Sequence, residues 1–117
     1  MNRDAYRLPD LARPFARTNV QTIAQRAGLI GELLPAARAF APELVIISAG
    51  FDSRHGDPLG GLQFTDDCFA KMTRLAAALA PPGRVVSVLE GGYSLQGLAS
   101  ACAAHVAALM PESQSNP

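Results

Sequence analysis

The chain has 117 residues, and its ten Lys and Arg balance ten Asp and Glu, so the formal net charge is zero. This length holds one small domain, and the charge balance argues against a basic nucleic-acid-binding arm, a polybasic membrane patch or an acidic disordered tail. No apolar run approaches the roughly 20 residues of a membrane-spanning helix, and the first ten residues do not have the pattern of a signal peptide, so a cytoplasmic location is expected by default.

The amino-terminal part of the sequence predicts a lead-in followed by a helix. The first 18 residues combine four Arg and two Pro with little periodicity, and we expect them to be a poorly specified lead-in. From Asn19 the spacing of apolar residues predicts an amphipathic helix, which Pro35 kinks or restarts and Pro42 closes. We expect residues 19–110 to form one α/β domain and residues 111–117 a frayed polar tail.

Two short apolar runs, residues 44–47 and 84–89, are rich in β-branched residues and predict strands. The first run lacks polar alternation, which is typical of a strand covered on both faces in a parallel sheet. Thr65 predicts the amino-terminal cap of a helix between the strands, and Ser94 predicts the cap of a last helix through about Met110.

The resulting order is helix, strand, helix, strand, helix, which favours parallel pairing of the two strands. Two Gly-rich loops, residues 50–61 and 90–93, follow the carboxyl ends of these strands. Because ligands of open parallel sheets bind beyond the carboxyl ends of the strands, we expect the chemistry at this edge.

The polar residues of these loops allow more than one interpretation. Asp52, His55 and Asp57 could ligate a divalent metal, but such residues also form turns with their own backbone. Tyr93 could donate a hydrogen bond to an oxyanion, or it could pack with its hydroxyl in solvent. Dinucleotide, P-loop and nucleophile-elbow motifs are absent from the sequence, and the spacing of Cys68 and Cys102 fits no metal finger.

Taken together, the segments 42–52 (PELVIISAGFD), 56–61 (GDPLGG) and 89–93 (LEGGY) resemble the carboxyl-terminal third of the histone deacetylase family. That family includes bacterial acetylpolyamine amidohydrolases and acetoin-utilisation proteins. The resemblance implies a partial arginase–deacetylase-like α/β fold, with a parallel sheet and flanking helices.

The resemblance also implies roles for individual residues. Asp57 matches the second zinc-binding aspartate of the family, and Tyr93 matches the tyrosine that hydrogen-bonds the scissile carbonyl of an acetyl-lysine or acetylpolyamine substrate. His55 matches no ligand. The resemblance further gives loop-shaping roles to Asp52, Gly91 and Gly92, and a place near the wall of the acyl channel to Phe64.

The family draws its other zinc ligands and its histidine dyad from sequence upstream of these motifs, whereas this chain contains only His55 and His105. A catalytic zinc site usually has three protein ligands, so we expect the chain to be the carboxyl-terminal part of a zinc-dependent deacetylase and to be inactive alone. Two strands by themselves would also expose an apolar sheet face and unpaired edges.

Two other functions stay open at this point. The first is a non-catalytic interaction module that pairs with a separate chain carrying the missing half, or with a second copy of itself. The second is a small ligand-binding α/β domain unrelated to deacetylases, which is supported only by the crevice expected at the sheet edge.

Overall fold

The computed structural model describes residues 32–111. Within this range, three helices and two strands alternate in the predicted order: α1 (Leu34–Phe40), β1 (Val45–Ala49), α2 (Asp66–Ala77), β2 (Val85–Leu89) and α3 (Leu95–Leu109). None of these helices is long and apolar enough to span a bilayer. The predicted lead-in, the predicted helix between residues 19 and 31, and residues 112–117 of the predicted tail lie outside the described range.

The two strands pair in parallel and in equal register, from Val45 opposite Val85 to Ala49 opposite Leu89. The predicted parallel pairing is therefore confirmed. Equal register matters for the site, because both strands end at the same level and release their loops side by side.

Backbone pairing continues past the strand ends into the two loops. The Glu90 N–H donates to the Ala49 carbonyl at 2.9 Å, and the Phe51 N–H donates to the Gly91 carbonyl at 2.8 Å. The first residues of the two loops are thus held together by the backbone alone.

Local signals place the helix ends close to their predicted positions. The Thr65 hydroxyl accepts from the Cys68 N–H at 3.3 Å, and the Ser94 hydroxyl accepts from the Gly97 N–H at 3.2 Å. Each hydroxyl satisfies an N–H that would otherwise lack a partner in the first turn. Pro35 lies in the first turn of α1, where its fixed φ suits a helix start.

The core lies between the sheet and helices α2 and α3. Phe51 and Phe69 pack with ring centroids 5.2 Å apart, and Phe64 meets Phe69 at 5.9 Å. Small buried residues complete this core: Ala49, Cys68 and Ala101.

The opposite face of the sheet is open within the described range. Ile46 is 65% exposed there, and Val86 and Val88 are about half exposed. The expectation that β1 is covered on both faces is therefore wrong for residues 32–111, because both helices that pack on the sheet lie on one side. The expectation of an exposed apolar face is confirmed in the same range.

Candidate functional site at the sheet edge

The carboxylate of Asp57 joins the two loops that leave the sheet. Its Oδ1 accepts from the N–H groups of Leu59 and Gly60, both at 2.9 Å. Its Oδ2 accepts from the N–H of Tyr93 at 2.9 Å, across 36 residues of sequence. One oxygen thus organises the loop that carries Asp57 (residues 53–64, the Asp57 loop), and the other fixes the loop that carries Tyr93 (residues 90–93, the Tyr93 loop).

These hydrogen bonds also set the ionisation of Asp57. Partial desolvation raises the pKa of this carboxyl, but the surrounding backbone N–H groups outweigh it, and the pKa falls below the ordinary value of 3.8. The largest of these lowering contributions comes from the Tyr93 N–H. Hydrogen bonds to the charged form favour that form, so Asp57 is a carboxylate at neutral pH.

The side chain of Tyr93 is 56% exposed and folds back over Gly91. A Cβ placed on Gly91 would lie 3.5 Å from the Tyr93 hydroxyl and 3.0 Å from Asp52 Oδ2. The missing side chain at Gly91 therefore lets the phenol and the Asp52 carboxylate approach the same stretch of backbone.

Gly92 makes the turn that follows. Its φ of +140° is one that residues with a side chain rarely adopt, and a Cβ there would lie 2.9 Å from Leu98 Cδ1 on α3. Glycine is required at this position both by backbone conformation and by the close approach of α3. The structure thus places the predicted loop-shaping residues Asp52, Gly91 and Gly92 around the Tyr93 backbone.

Phe64 lies at the base of the Asp57 loop. Its backbone forms a single parallel bridge with Arg54, and its side chain is only 8% exposed and packs into the core. The structure therefore places Phe64 beneath the loop rather than on its surface, and its role at the acyl channel stays a prediction.

Sequence reasoning missed an ionic network beside the site. Arg54 pairs with Asp66 on α2 through Nε and Oδ1 at 2.7 Å, and the hydroxyl of Ser100 on α3 donates to the same oxygen at 3.2 Å. Arg and Asp separated by 12 residues give no periodic signal, so only the tertiary structure reveals the pair.

The two histidines lie in different environments. His55 is exposed on the Asp57 loop, where Nδ1 contacts the Gln63 amide oxygen. His105 is 5% exposed, with Nδ1 2.6 Å from the Thr73 hydroxyl and Nε2 2.7 Å from the Ser87 hydroxyl. The structure brings neither histidine into a metal-binding group, and residues 32–111 contain no cluster of three His, Cys, Asp or Glu side chains suited to a metal ion.

The tautomer of His105 follows from its partners. The Thr73 hydroxyl donates its one proton to the Phe69 carbonyl at 2.6 Å, so it accepts from Nδ1–H, and Nε2 then accepts from Ser87. Burial lowers the pKa of His105 below 6.5. His105 is therefore a neutral core residue that links α2, α3 and β2.

Comparisons with known proteins found similar sequences and folds. The Histone deacetylase domain family matches residues 16–109. Polyamine deacetylase HDAC10 from Mus musculus is 50% identical over 97 residues, which are 83% of this chain and 14% of that protein. Histone deacetylase 15 from Arabidopsis thaliana is 40% identical over 84 residues, 72% of this chain and 15% of that protein.

Two solved structures are similar in fold. The crystal structure of the HDA15 HD domain has a TM-score of 0.62 at 42% identity and covers 66% of this chain and 21% of its own. The structure of the histone deacetylase Clr3 has a TM-score of 0.66 at 36% identity and covers 72% of this chain and 14% of its own. The chain thus spans only a small part of each relative.

Proposed function

Because the chain belongs to the histone deacetylase family, we propose that it carries the carboxyl-terminal part of a zinc-dependent deacetylase site. The partial arginase–deacetylase-like α/β fold is confirmed by the solved relatives. The alternative hypothesis of a ligand-binding domain unrelated to deacetylases is wrong, because the family match covers residues 16–109. In this proposal Asp57 is a zinc ligand and Tyr93 is the catalytic tyrosine. The observation that carries it is the 2.9 Å hydrogen bond from the Tyr93 N–H to Asp57 Oδ2, which joins the two loops at one sheet edge.

The chemistry of Asp57 fits a divalent cation. Metal ligands must be deprotonated, and the lowered pKa of Asp57 keeps its carboxylate charged at neutral pH. Oδ2 accepts the Tyr93 N–H, and Asp57 is half-buried rather than buried, so its carboxylate stays accessible to a metal. When bound, zinc supplies Lewis-acid polarisation of a carbonyl and lowers the pKa of a coordinated water.

Tyr93 has the exposure and the support that an oxyanion donor needs. The residue is 56% exposed and so can reach a substrate, while its backbone N–H is held by Asp57. An O–H donor aimed at a developing oxyanion is worth about 10²–10³ in turnover. We assign to Tyr93 the hydrogen bond to the scissile carbonyl of an acetyl-amide.

The substrate that we propose is an acetylated primary amine on an alkyl chain, of the acetyl-lysine or acetylpolyamine type. Support comes from the relatives, since HDAC10 is a polyamine deacetylase and Histone deacetylase 15 and Clr3 are histone deacetylases. A panel containing both substrate types belongs in every activity measurement on this chain.

Asp57 alone cannot complete a catalytic zinc site. Catalytic zinc sites hold the metal with three protein ligands, and this chain offers Asp57. We therefore propose that the remaining ligands and the proton-transferring histidines come from residues outside the chain, and that the chain alone is inactive. Zinc-dependent deacetylation by the purified 117-residue chain, abolished in Asp57→Ala, would overturn this part.

The residue roles can be tested in a chimaera. Residues 33–110 of this chain would replace the matching segment of mouse HDAC10, and zinc content and deacetylation would be measured. Asp57→Asn is expected to lose zinc, whereas Tyr93→Phe is expected to keep zinc and lose turnover by about 10²–10³. Asp67→Asn, an exposed carboxylate on α2, is the matched control. Full activity in Tyr93→Phe would refute the role of Tyr93.

A second candidate function rests on the open sheet face. Ile46, Val86 and Val88 form an apolar strip, and a parallel sheet is ordinarily covered on both faces. We propose that this surface docks the amino-terminal portion of a deacetylase domain carried on a separate chain, which would also complete the ligand set.

Light scattering after size exclusion tests this docking. We expect the chain alone to self-associate through the uncovered strip, and Ile46→Lys to restore the monomer. Leu59→Lys is the matched control, because Leu59 is 73% exposed on the Asp57 loop, away from the strip. A clean monomer that captures no amino-terminal deacetylase fragment would contradict the proposal.

A further inference from the structure

Arg54 stands where the Asp57 loop leaves and re-enters the fold. The His55 N–H donates to the Phe64 carbonyl at 2.8 Å, and the Phe64 N–H donates to the Ser53 carbonyl at 3.1 Å, which closes the base of the loop. Inside the loop, the Asp57 N–H donates to the Arg54 carbonyl at 3.1 Å. The backbone of Arg54 is therefore part of the turn that presents Asp57.

The side chain of Arg54 leaves the loop and binds α2. Nε donates to Asp66 Oδ1 at 2.7 Å, Nη2 donates to Asp66 Oδ2 at 3.3 Å, and Nη1 donates to the His55 carbonyl at 2.9 Å. A bidentate ion pair between a guanidinium and a carboxylate fixes the relative orientation of the two groups as well as their distance. The hydrogen bond from Arg54 lowers the pKa of Asp66, so both partners are charged at neutral pH.

The same network reaches the helix that follows Tyr93. The Ser100 hydroxyl donates to Asp66 Oδ1 at 3.2 Å, and a Cβ placed on Gly97 would lie 3.2 Å from both Cδ and Nη1 of Arg54. The guanidinium thus lies against the first turn of α3, which begins immediately after the Tyr93 loop and is capped by Ser94. Both the Asp57 loop and the Tyr93 loop are therefore positioned against the amino-terminal end of α3.

We propose that Arg54 is a positioning residue: through its ion pair with Asp66 it holds the Asp57 loop against α3, so that the Asp57 carboxylate meets the Tyr93 N–H. The chemical importance of that geometry rests on the proposed deacetylase function, but the geometry itself does not. The network uses side chains of the Asp57 loop, α2 and α3, and it acts on the hydrogen bond from the Tyr93 N–H to Asp57 Oδ2.

Amide hydrogen exchange of the full ¹⁵N-labelled chain, measured by NMR, separates positioning from general stabilisation. In Arg54→Ala, exchange at the Tyr93 amide is expected to accelerate by about tenfold, because its acceptor is no longer held in place. The amides of Leu59 and Gly60 bond to Asp57 within the loop, so they should keep their rates within about twofold. Arg54→Lys keeps the positive charge but cannot form the bidentate pair with Asp66, so it should restore part of the slow exchange at the Tyr93 amide.

Two further variants keep the test decisive. Asp66→Asn removes the ion pair while leaving a residue suited to the start of α2, so it reports even where Arg54→Ala fails to fold. Lys71→Ala breaks the exposed pair between Lys71 and Asp67 on the same helix, and it should leave the Tyr93 amide unchanged.

An unchanged Tyr93 amide in a folded Asp66→Asn chain would overturn the proposal. Equal acceleration at Tyr93, at Leu59 and in the core would also overturn it, because Arg54 would then only stabilise the fold. The exchange experiment requires neither zinc nor turnover, so full activity of Tyr93→Phe in the chimaera would refute the proposed role of Tyr93 and leave this result standing.

Discussion

Replacing the buried His105 by Leu should remove a pH dependence from the folding of this chain. Burial lowers the pKa of His105 below 6.5, so around and below that pH the unfolded chain binds a proton that the folded chain excludes. The free energy of unfolding therefore falls as the pH drops, by up to about 1.4 kcal/mol per pH unit. This fall starts near the ordinary histidine pKa and ends once the folded pKa is reached.

The size of the effect follows from the contacts of His105. At pH 7 the Leu variant keeps a similar volume but loses the hydrogen bonds to Thr73 and Ser87, each worth about 1 kcal/mol. We therefore expect a deficit of about 2 kcal/mol at pH 7. Because the His105 contribution weakens only the wild type on acidification, the deficit of the Leu variant should shrink as the pH falls from 7 to 5.5.

Urea unfolding followed by circular dichroism at pH 7, 6 and 5.5 measures the free energy of unfolding of the wild type and of the Leu variant at each pH. His55→Leu is the matched control, since His55 is exposed, and this variant should keep the pH dependence of the wild type. A wild-type stability that stays level across this range would refute the reasoning, as would a His105→Leu chain that retains the wild-type slope.

Three other substitutions, with Gly83→Ala as a control for the first, probe the site and its supports. Gly92→Ala forces a Cβ toward Leu98 at a φ of +140° and should cost about 1–3 kcal/mol in thermal unfolding. Gly83→Ala, with positive φ but open space, should cost less. Thr65→Ala removes the cap of α2 and should cost about 1 kcal/mol; no loss would contradict a capping role. Asp57→Asn should accelerate exchange at the Tyr93 amide, and unchanged exchange would count against the crossing hydrogen bond.

Sequence reasoning succeeded where the signal is local. The caps at Thr65 and Ser94 were predictable, because a hydroxyl acts on an N–H three residues further along the chain. The strands were predictable from their apolar runs, although β1 extends to Ala49, two residues beyond the predicted end. Half of the Asp57 arrangement is local too, since its Oδ1 partners lie two and three residues away.

Contacts between distant residues were not predictable in the same way. The bond from the Tyr93 N–H spans 36 residues, and the pairing of His105 with Thr73 spans 32. An Ala-rich helix gives no sign that one of its polar residues faces a threonine and a serine from other elements. The outer face of β1 was mispredicted for a different reason. A continuous apolar run indicates a hydrophobic strand, but it does not show which residues pack on each face, and residues 32–111 leave Ile46 exposed.

The parallel bridge between Arg54 and Phe64 has a consequence for how this region can diversify. The bridge holds the two ends of the loop formed by residues 55–63 side by side, above the core that contains Phe51, Phe64 and Phe69. Part of this loop cannot change freely: a Cβ on Gly60 would lie 1.6 Å from the Asp52 carbonyl oxygen, and the Leu59 and Gly60 N–H groups both bond to Asp57. A Cβ on Gly61, by contrast, would meet nothing within 4 Å. Variation in this loop is therefore expected outside residues 57–60, where side chains can change while Asp57 keeps its hydrogen bonds.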